Sequence, residues 1–62
     1  MKEAAERKIR LGLTRSARKV VAEVESATAD MIRDGWVLVE SITEDSLGYI
    51  HLFFERDIEP NR

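Results

Sequence analysis

Gly48-Tyr49-Ile50-His51-Leu52-Phe53-Phe54-Glu55-Arg56 is the stretch on which the fold turns. It is rich in aromatic and large apolar residues and carries no helix-period stripe. Successive side chains of a strand point to opposite faces. Ile50, Leu52 and Phe54 therefore share one face, and Tyr49, His51 and Phe53 share the other. Both sets are apolar or aromatic. A strand that is apolar on both faces belongs in the middle of a sheet and calls for cover on each side.

The segment before it has the same character. Trp36 to Thr43 reads Trp-Val-Leu-Val-Glu-Ser-Ile-Thr. The polar turn Glu44-Asp45-Ser46 joins the two runs, which makes them a hairpin. This strand offers two side-chain sets, Trp36/Leu38/Ile42 and Val37/Val39, one of which must join the face of Tyr49, His51 and Phe53.

Further upstream the period changes. Ala17, Val20, Val21, Val24, Ala27, Thr28 and Met31 recur every three or four residues, the mark of an amphipathic helix over 16–34. Thr14 or Ser16 is placed to cap its start. Gly35 is placed to end it in the left-handed region. Ahead of the helix, Ile9, Leu11 and Leu13 alternate with Arg10 and Gly12, which favours a first strand over 9–13. The helix formers of Glu3-Ala4-Ala5-Glu6-Arg7-Lys8 favour a rival helix there. Gly12 and the period of two decide for the strand.

The order is then β-α-β-β, an α+β fold. A right-handed helical crossover sets the first two strands parallel. The last strand sits between them, giving a three-stranded sheet of order 1-3-2 with one helix on one face. Sixty-two residues allow a single domain. It is expected to span 1–62, with an ordered core over about residues 8–57 and a tail over 58–62.

Composition excludes several classes of function. There is no Cys, and 44% of the residues are apolar but only 6% aromatic. Without Cys there is neither a disulfide framework nor a thiolate nucleophile. A single His and scattered carboxylates do not make a metal-ligand pattern, and the isolated glycines do not make a phosphate-binding loop, so no metal and no cofactor are expected. No apolar run reaches the ~20 residues of a membrane span. The N-terminal MKEAAERKIRLGL has no apolar signal-peptide core, so a cytoplasmic location is expected.

Ten cations against twelve acids give a formal net charge of −2, but the charge is unevenly distributed. Residues 1–19 carry seven cations against two acids, and residues 20–62 carry three against ten. Arg15, Arg18 and Lys19 lie at the start of the helix, with Asp30 and Asp34 near its end, the reverse of what the helix dipole favours. A partner subunit, or the acids Asp57 and Glu59, would offset them. A basic segment of Arg7, Lys8, Arg10, Arg15, Arg18 and Lys19 would also suit RNA or DNA. His51 is the only side chain with an unperturbed pKa near neutrality. Tyr49, Phe53 and Glu55 share its face, and a His51 oriented by Glu55 is the one constellation that could support catalysis. No enzymatic activity is expected from it.

Gly48-Tyr49-Ile50-His51-Leu52-Phe53-Phe54 partly resembles the third-strand signature of RNA-recognition-motif domains. Gly48, Tyr49, Leu52 and Phe54 fit that signature, whereas Leu47 stands where it has a basic residue and Ile50 where it has a small one. The resemblance implies Tyr49 and His51 stacking on bases. The closing helix and fourth strand of that fold have no counterpart. Separately, Gly35-Trp36-Val37-Leu38-Val39, with a final strand ending Phe54-Glu55-Arg56, resembles a group of small prokaryotic domains of unknown function. That resemblance covers 9–56 and implies the β-α-β-β order but no activity and no site residues.

One helix covers one face of a sheet, so several large side chains on the other would stay wet. Such a patch marks a binding surface. The expected function is a small binding or interaction module acting as a homodimer, sheet on sheet or edge on edge through the first strand. Its interface would use Trp36, Tyr49, His51 and Phe53. The alternative is a nucleic-acid-binding protein using the basic segment and the aromatic face.

Overall fold

The computed structural model describes residues 1–12, 16–44 and 48–58. Four elements follow in order: β1 (Lys2–Arg10), α1 (Ala17–Arg33), β2 (Val37–Thr43) and β3 (Tyr49–Asp57). The sheet order is β1-β3-β2. β3 is antiparallel to both neighbours, which leaves β1 and β2 parallel to each other. The α+β class, the β-α-β-β order and the central place of β3 are all as its two apolar faces dictate.

Helix α1 lies on one side of the sheet. Val20, Ala27 and Met31 from the helix are buried against Ile9, Leu52 and Phe54 from the strands. Ala5, Leu11, Val24, Trp36 and Ile50 pack around this core. Leu52 and Phe54 are the deepest side chains, 2% and 1% exposed. Of the stripe read from the sequence, Val20, Ala27 and Met31 are buried and Val24 and Thr28 half-buried, while Ala17 and Val21 stay exposed.

Both helix ends follow local chemistry. Ser16 is the N-cap, and its hydroxyl accepts the Lys19 backbone N–H at 3.2 Å. At the other end the Gly35 N–H donates to the Ile32 carbonyl at 2.9 Å, and the Trp36 N–H donates to the Met31 carbonyl at 3.0 Å. That pair of bonds is a Schellman motif, which requires a left-handed residue just past the helix. Gly35 supplies it at φ 92°. A Cβ built on Gly35 would meet Arg56 Cδ at 3.6 Å, an ordinary contact, so a side chain there is opposed by the backbone angle alone. Gly35→Ala is expected to cost about 1–2 kcal/mol. In a domain this small, each lost kcal/mol lowers the melting temperature by about 4–8 °C, readable by circular dichroism at fixed concentration. An unchanged midpoint would contradict the role given to Gly35.

Three expectations need correction. The first strand runs over Lys2–Arg10 and not over 9–13, so the expected core boundary at residue 8 cuts through it. Leu11 adds one further bond, its N–H to the Gly48 carbonyl at 2.9 Å, before Gly12 turns the chain at φ 109°. The helix formers of 3–8 are held in a strand by pairing with β3, where Ala5 faces Phe54 and Ile9 faces Ile50. Second, β2 carries a bulge at Val39, since Leu38 pairs with Phe54 and Glu40 with Phe53. The extra residue flips the parity of the strand. Val37, Val39 in the bulge and Ile42 therefore lie on the face of Tyr49, His51 and Phe53, while Leu38 goes to the helix side, so the set Trp36/Leu38/Ile42 is split and Val37/Val39 joins the open face. Third, Asp57 does not lie by the start of the helix. It ends β3 opposite Lys2, next to Arg56 and hence near the end of α1, so it does not offset Arg18 and Lys19. Thr14, Asp45, Ser46, Glu59 and most of the expected tail lie outside the described residues.

Candidate functional site

The sheet face turned away from α1 is the candidate binding surface. Its centre is the β3 column Tyr49, His51, Phe53 and Glu55. The register places Lys2, Ala4, Glu6, Lys8 and Arg10 of β1 on one side of that column. Val37, Glu40 and Ile42 of β2 lie on the other side. No element among the described residues covers this face. Val37 is 61% exposed, Ile42 46% and Tyr49 40%, and Val39 in the bulge is exposed as well. Beside Phe53, Ala4, Glu6, Val39 and Glu40 line a shallow hollow.

His51 sits at the middle of the face. The β1/β3 register puts Lys8 directly opposite it and Glu6 opposite Phe53. Glu6 reaches diagonally, and His51 Nδ1 donates to its Oε2 at 2.5 Å. Glu44, just past the end of β2, reaches back so that His51 Nε2 donates to its Oε2 at 2.6 Å. Ionised carboxylates only accept hydrogen bonds, so a ring donating at both nitrogens is the imidazolium. In accord with this, the Glu44 and Glu6 carboxylates raise the His51 pKa above its ordinary value. The hydrogen bond from His51 correspondingly lowers that of Glu44.

Glu44 is held in place from a second direction. Its Oε1 accepts the Tyr49 backbone N–H at 3.3 Å. Gly48 leaves room for this, because a Cβ there would lie 2.0 Å from Glu44 Oε1. The His51 ring lies near-parallel to Phe53, with centroids 6.2 Å apart at 13°, and Tyr49 is tilted at 6.3 Å on its other side. Lys8 Nζ stands 5.3 Å from the centre of the Tyr49 ring.

Tyr49, His51 and Phe53 thus come together as the sequence indicates, but Trp36 does not join them. It precedes β2 on the helix side and packs against the core. There the Arg56 guanidinium lies over its ring at 4.3 Å. Arg56 Nε also donates to Glu3 Oε1 at 2.9 Å, Nη2 donates to the same oxygen, and Nη1 donates to the Asp34 carbonyl at 3.0 Å. One side chain therefore ties β1, the helix end and the entry to β2 together. It also brings a cation to the helix C-terminus, where the dipole favours one.

The partner expected for His51 is corrected too. Glu55 does not orient it, but pairs with Lys2 at 3.4 Å. Four residues along a strand is about 13 Å, beyond reach, whereas cross-strand neighbours are about 5 Å apart. Glu6 and Glu44 thus hold both ring nitrogens of His51 from the two flanking sides. No group of three His, Cys, Asp or Glu among the described residues is placed to hold a metal ion.

The basic residues are divided among surfaces. Lys8 and Arg10 are on the open face, while Arg7 pairs with Leu52 and so points to the helix side of β1. Arg18 and Lys19 are exposed in the first turn of α1, and Arg15 lies outside the described residues. No helix among the described residues is long and apolar enough to cross a membrane. No family model, no curated protein and no solved structure matches the chain.

Proposed function

We propose that the protein is a cytoplasmic binding module that acts as a homodimer, its open sheet face closed by the same face of a second copy, with no catalytic activity. The observation that carries this reading is the uncovered face itself, where Val37, Ile42 and Tyr49 stand exposed beside His51 and Phe53. Pairing through the edge of β1 is disfavoured, because Lys2, Lys8 and Arg10 are the kind of charges that blunt an edge strand.

Charge on the face favours a second copy over nucleic acid. Five carboxylates, Glu6, Glu40, Glu44, Glu55 and Asp57, outnumber Lys2, Lys8 and Arg10 there. Two of the five are bound to the ring that would have to stack on a base. Light scattering on a sizing column, at low and high salt, tests the proposal. A dimer is expected. A monomer at high concentration overturns it, and titration with single-stranded RNA then asks whether the nucleic-acid reading takes its place.

A further inference from the structure

The open face consists of rows running across the sheet, each centred on a β3 residue. The Glu55 row holds Ala4 and Val37, the Phe53 row Glu6 and Glu40, and the His51 row Lys8 and Ile42. The Tyr49 row holds Arg10, together with Glu44, whose N–H donates to the Tyr49 carbonyl at 3.1 Å. Beyond the Glu55 row, Lys2 lies opposite Asp57. Two copies packed face to face share a two-fold axis lying between the sheets, either along the strands or across them.

Charge excludes most positions of that axis. Along β3, it sets Glu6 on Glu40 of the second copy, and Glu55 and His51 on their own counterparts. Shifted towards β1, it sets Lys8 on the His51 ring, whose two nitrogens donate to Glu6 and Glu44. Shifted towards β2, it leaves both β1 strands outside the contact. An axis across the strands lays each strand on its own counterpart and reverses the order of the rows. On the Phe53 row it opposes Glu6 to Glu6, and on the His51 row Lys8 to Lys8. Between the His51 and Tyr49 rows it opposes Lys8 to Arg10, and between the Glu55 and Phe53 rows Lys2 to Lys8. Nearer either end it opposes Glu55 to itself or to Asp57, or Arg10 to itself. Between the Phe53 and His51 rows, all three strands are covered and no like charges face each other.

We propose that two copies of this chain pack sheet on sheet about a two-fold axis that crosses the strands between the rows of Phe53 and His51, so that Glu6 of each copy faces Lys8 of the other. The inference rests on the homodimer reading above and adds to it an orientation and a register.

In this arrangement each His51 ring faces Phe53 of the second copy, flanked by that copy's Glu6 and Glu40. The face of an aromatic ring attracts a cation, and the two carboxylates reinforce it. In the next row out, Tyr49 faces Glu55 and Arg10 faces Ala4. Shape agrees with charge. Tyr49 is 40% exposed, and it meets the end of the hollow that Ala4, Phe53 and Glu55 line. An axis along β3 would instead set Tyr49 on Tyr49 and the hollow on itself. Aligned sheets cross at about 30°. Glu6 and Lys8 lie only about 6 Å from the centre of the contact, so the crossing displaces them by about 3 Å, within the reach of both side chains.

Two measurements test the proposal. The chain has no Cys, so a spin label on Lys2→Cys is unique. Lys2 lies five residues along β1 from the axis, and the two labels of a dimer are expected about 35 Å apart by pulsed electron spin resonance, against about 15 Å for an axis along β3. The second measurement is a charge exchange read by light scattering. Lys8→Glu is expected to weaken dimerisation at least about tenfold at low salt, because it sets a carboxylate on Glu6 of the second copy. Adding Glu6→Lys exchanges the two charges and is expected to restore affinity, with a carboxylate still beside His51 at position 8, directly opposite it. Adding Glu25→Lys on the exposed side of α1 instead gives the same net charge and is expected to restore nothing. Labels about 15 Å apart, or Glu6→Lys restoring no more than Glu25→Lys, overturn the orientation and leave the homodimer standing. If wild type is monomeric, both fall. Circular dichroism confirms that the variants fold. Should Lys8→Glu fail to fold, the label distance decides alone, and a value below about 30 Å overturns the proposal.

Discussion

Phe54→Ala is expected to leave the protein largely unfolded, whereas Phe53→Ala, one residue away, leaves the fold in place and weakens self-association. Phe54 is 1% exposed and packs in the core formed with Leu52, Ile9, Val20, Ala27 and Met31. Truncating a buried Phe costs about 3–5 kcal/mol through lost transfer energy and the cavity left behind. At typical stabilities per residue, a chain of this length has only about 3–9 kcal/mol in total. The core has little capacity to absorb the loss, because only six side chains are buried among the described residues. Phe53 points to the other face, where it stacks beside His51 with only the shallow hollow around it. Urea titration followed by circular dichroism separates the two variants. Light scattering then reads the effect of Phe53→Ala on mass. Wild-type stability in Phe54→Ala would mean that the two faces have been assigned the wrong way round.

Much of this architecture was legible in the sequence, and the reasons are physical. The two apolar faces of Tyr49–Phe54 require a central strand, and the three- and four-residue spacing from Val20 to Met31 requires a helix covering one of them. Gly35 marks the helix end because few other residues adopt its backbone angle. What stayed hidden depends on pairing. Residues 2–8 carry helix formers, and two adjacent alanines erase any alternation; only the partners Phe54 and Glu55 on β3 make Ala5 and Ala4 strand residues. A bulge leaves no trace in a run such as Val37-Leu38-Val39, so the sides taken by Trp36 and Ile42 could not be read. Arg56 follows an apolar strand in the sequence, but only the β1/β3 register shows that Glu3 lies opposite to receive its guanidinium. Glu6 and Glu44 lie 45 and 7 residues from His51, and only the register brings both to its ring.

The same triad makes stability depend on pH. His51 titrates above its ordinary value of about 6.5 because of Glu44 first and Glu6 second. A group whose pKa is raised by folding stabilises fully below its unfolded value, and that contribution is lost as pH rises through the folded value. Glu44 titrates below its ordinary value because of its bond to His51. Its contribution is present above the ordinary carboxylate value of about 4.3 and is lost as pH falls through the lowered one. Both contributions coexist between those two ordinary values, so stability is expected to be greatest in that interval and to decline on either side. Lys8, opposite His51 on β1, and Tyr49 beside it are the other titratable groups close to the ring. Urea midpoints from pH 4 to 9, with the His51 ring proton followed by NMR, measure the profile. Gly48→Ala is the informative variant. Its Cβ would displace the flexible Glu44 carboxylate and remove the larger cause of the His51 shift, while the strand backbone need not move. The His51 titration is then expected to move down toward its ordinary value and the alkaline arm of the profile to flatten. A wild-type His51 that titrates at or below its ordinary value would show that the carboxylates do not hold the ring in its charged form in solution.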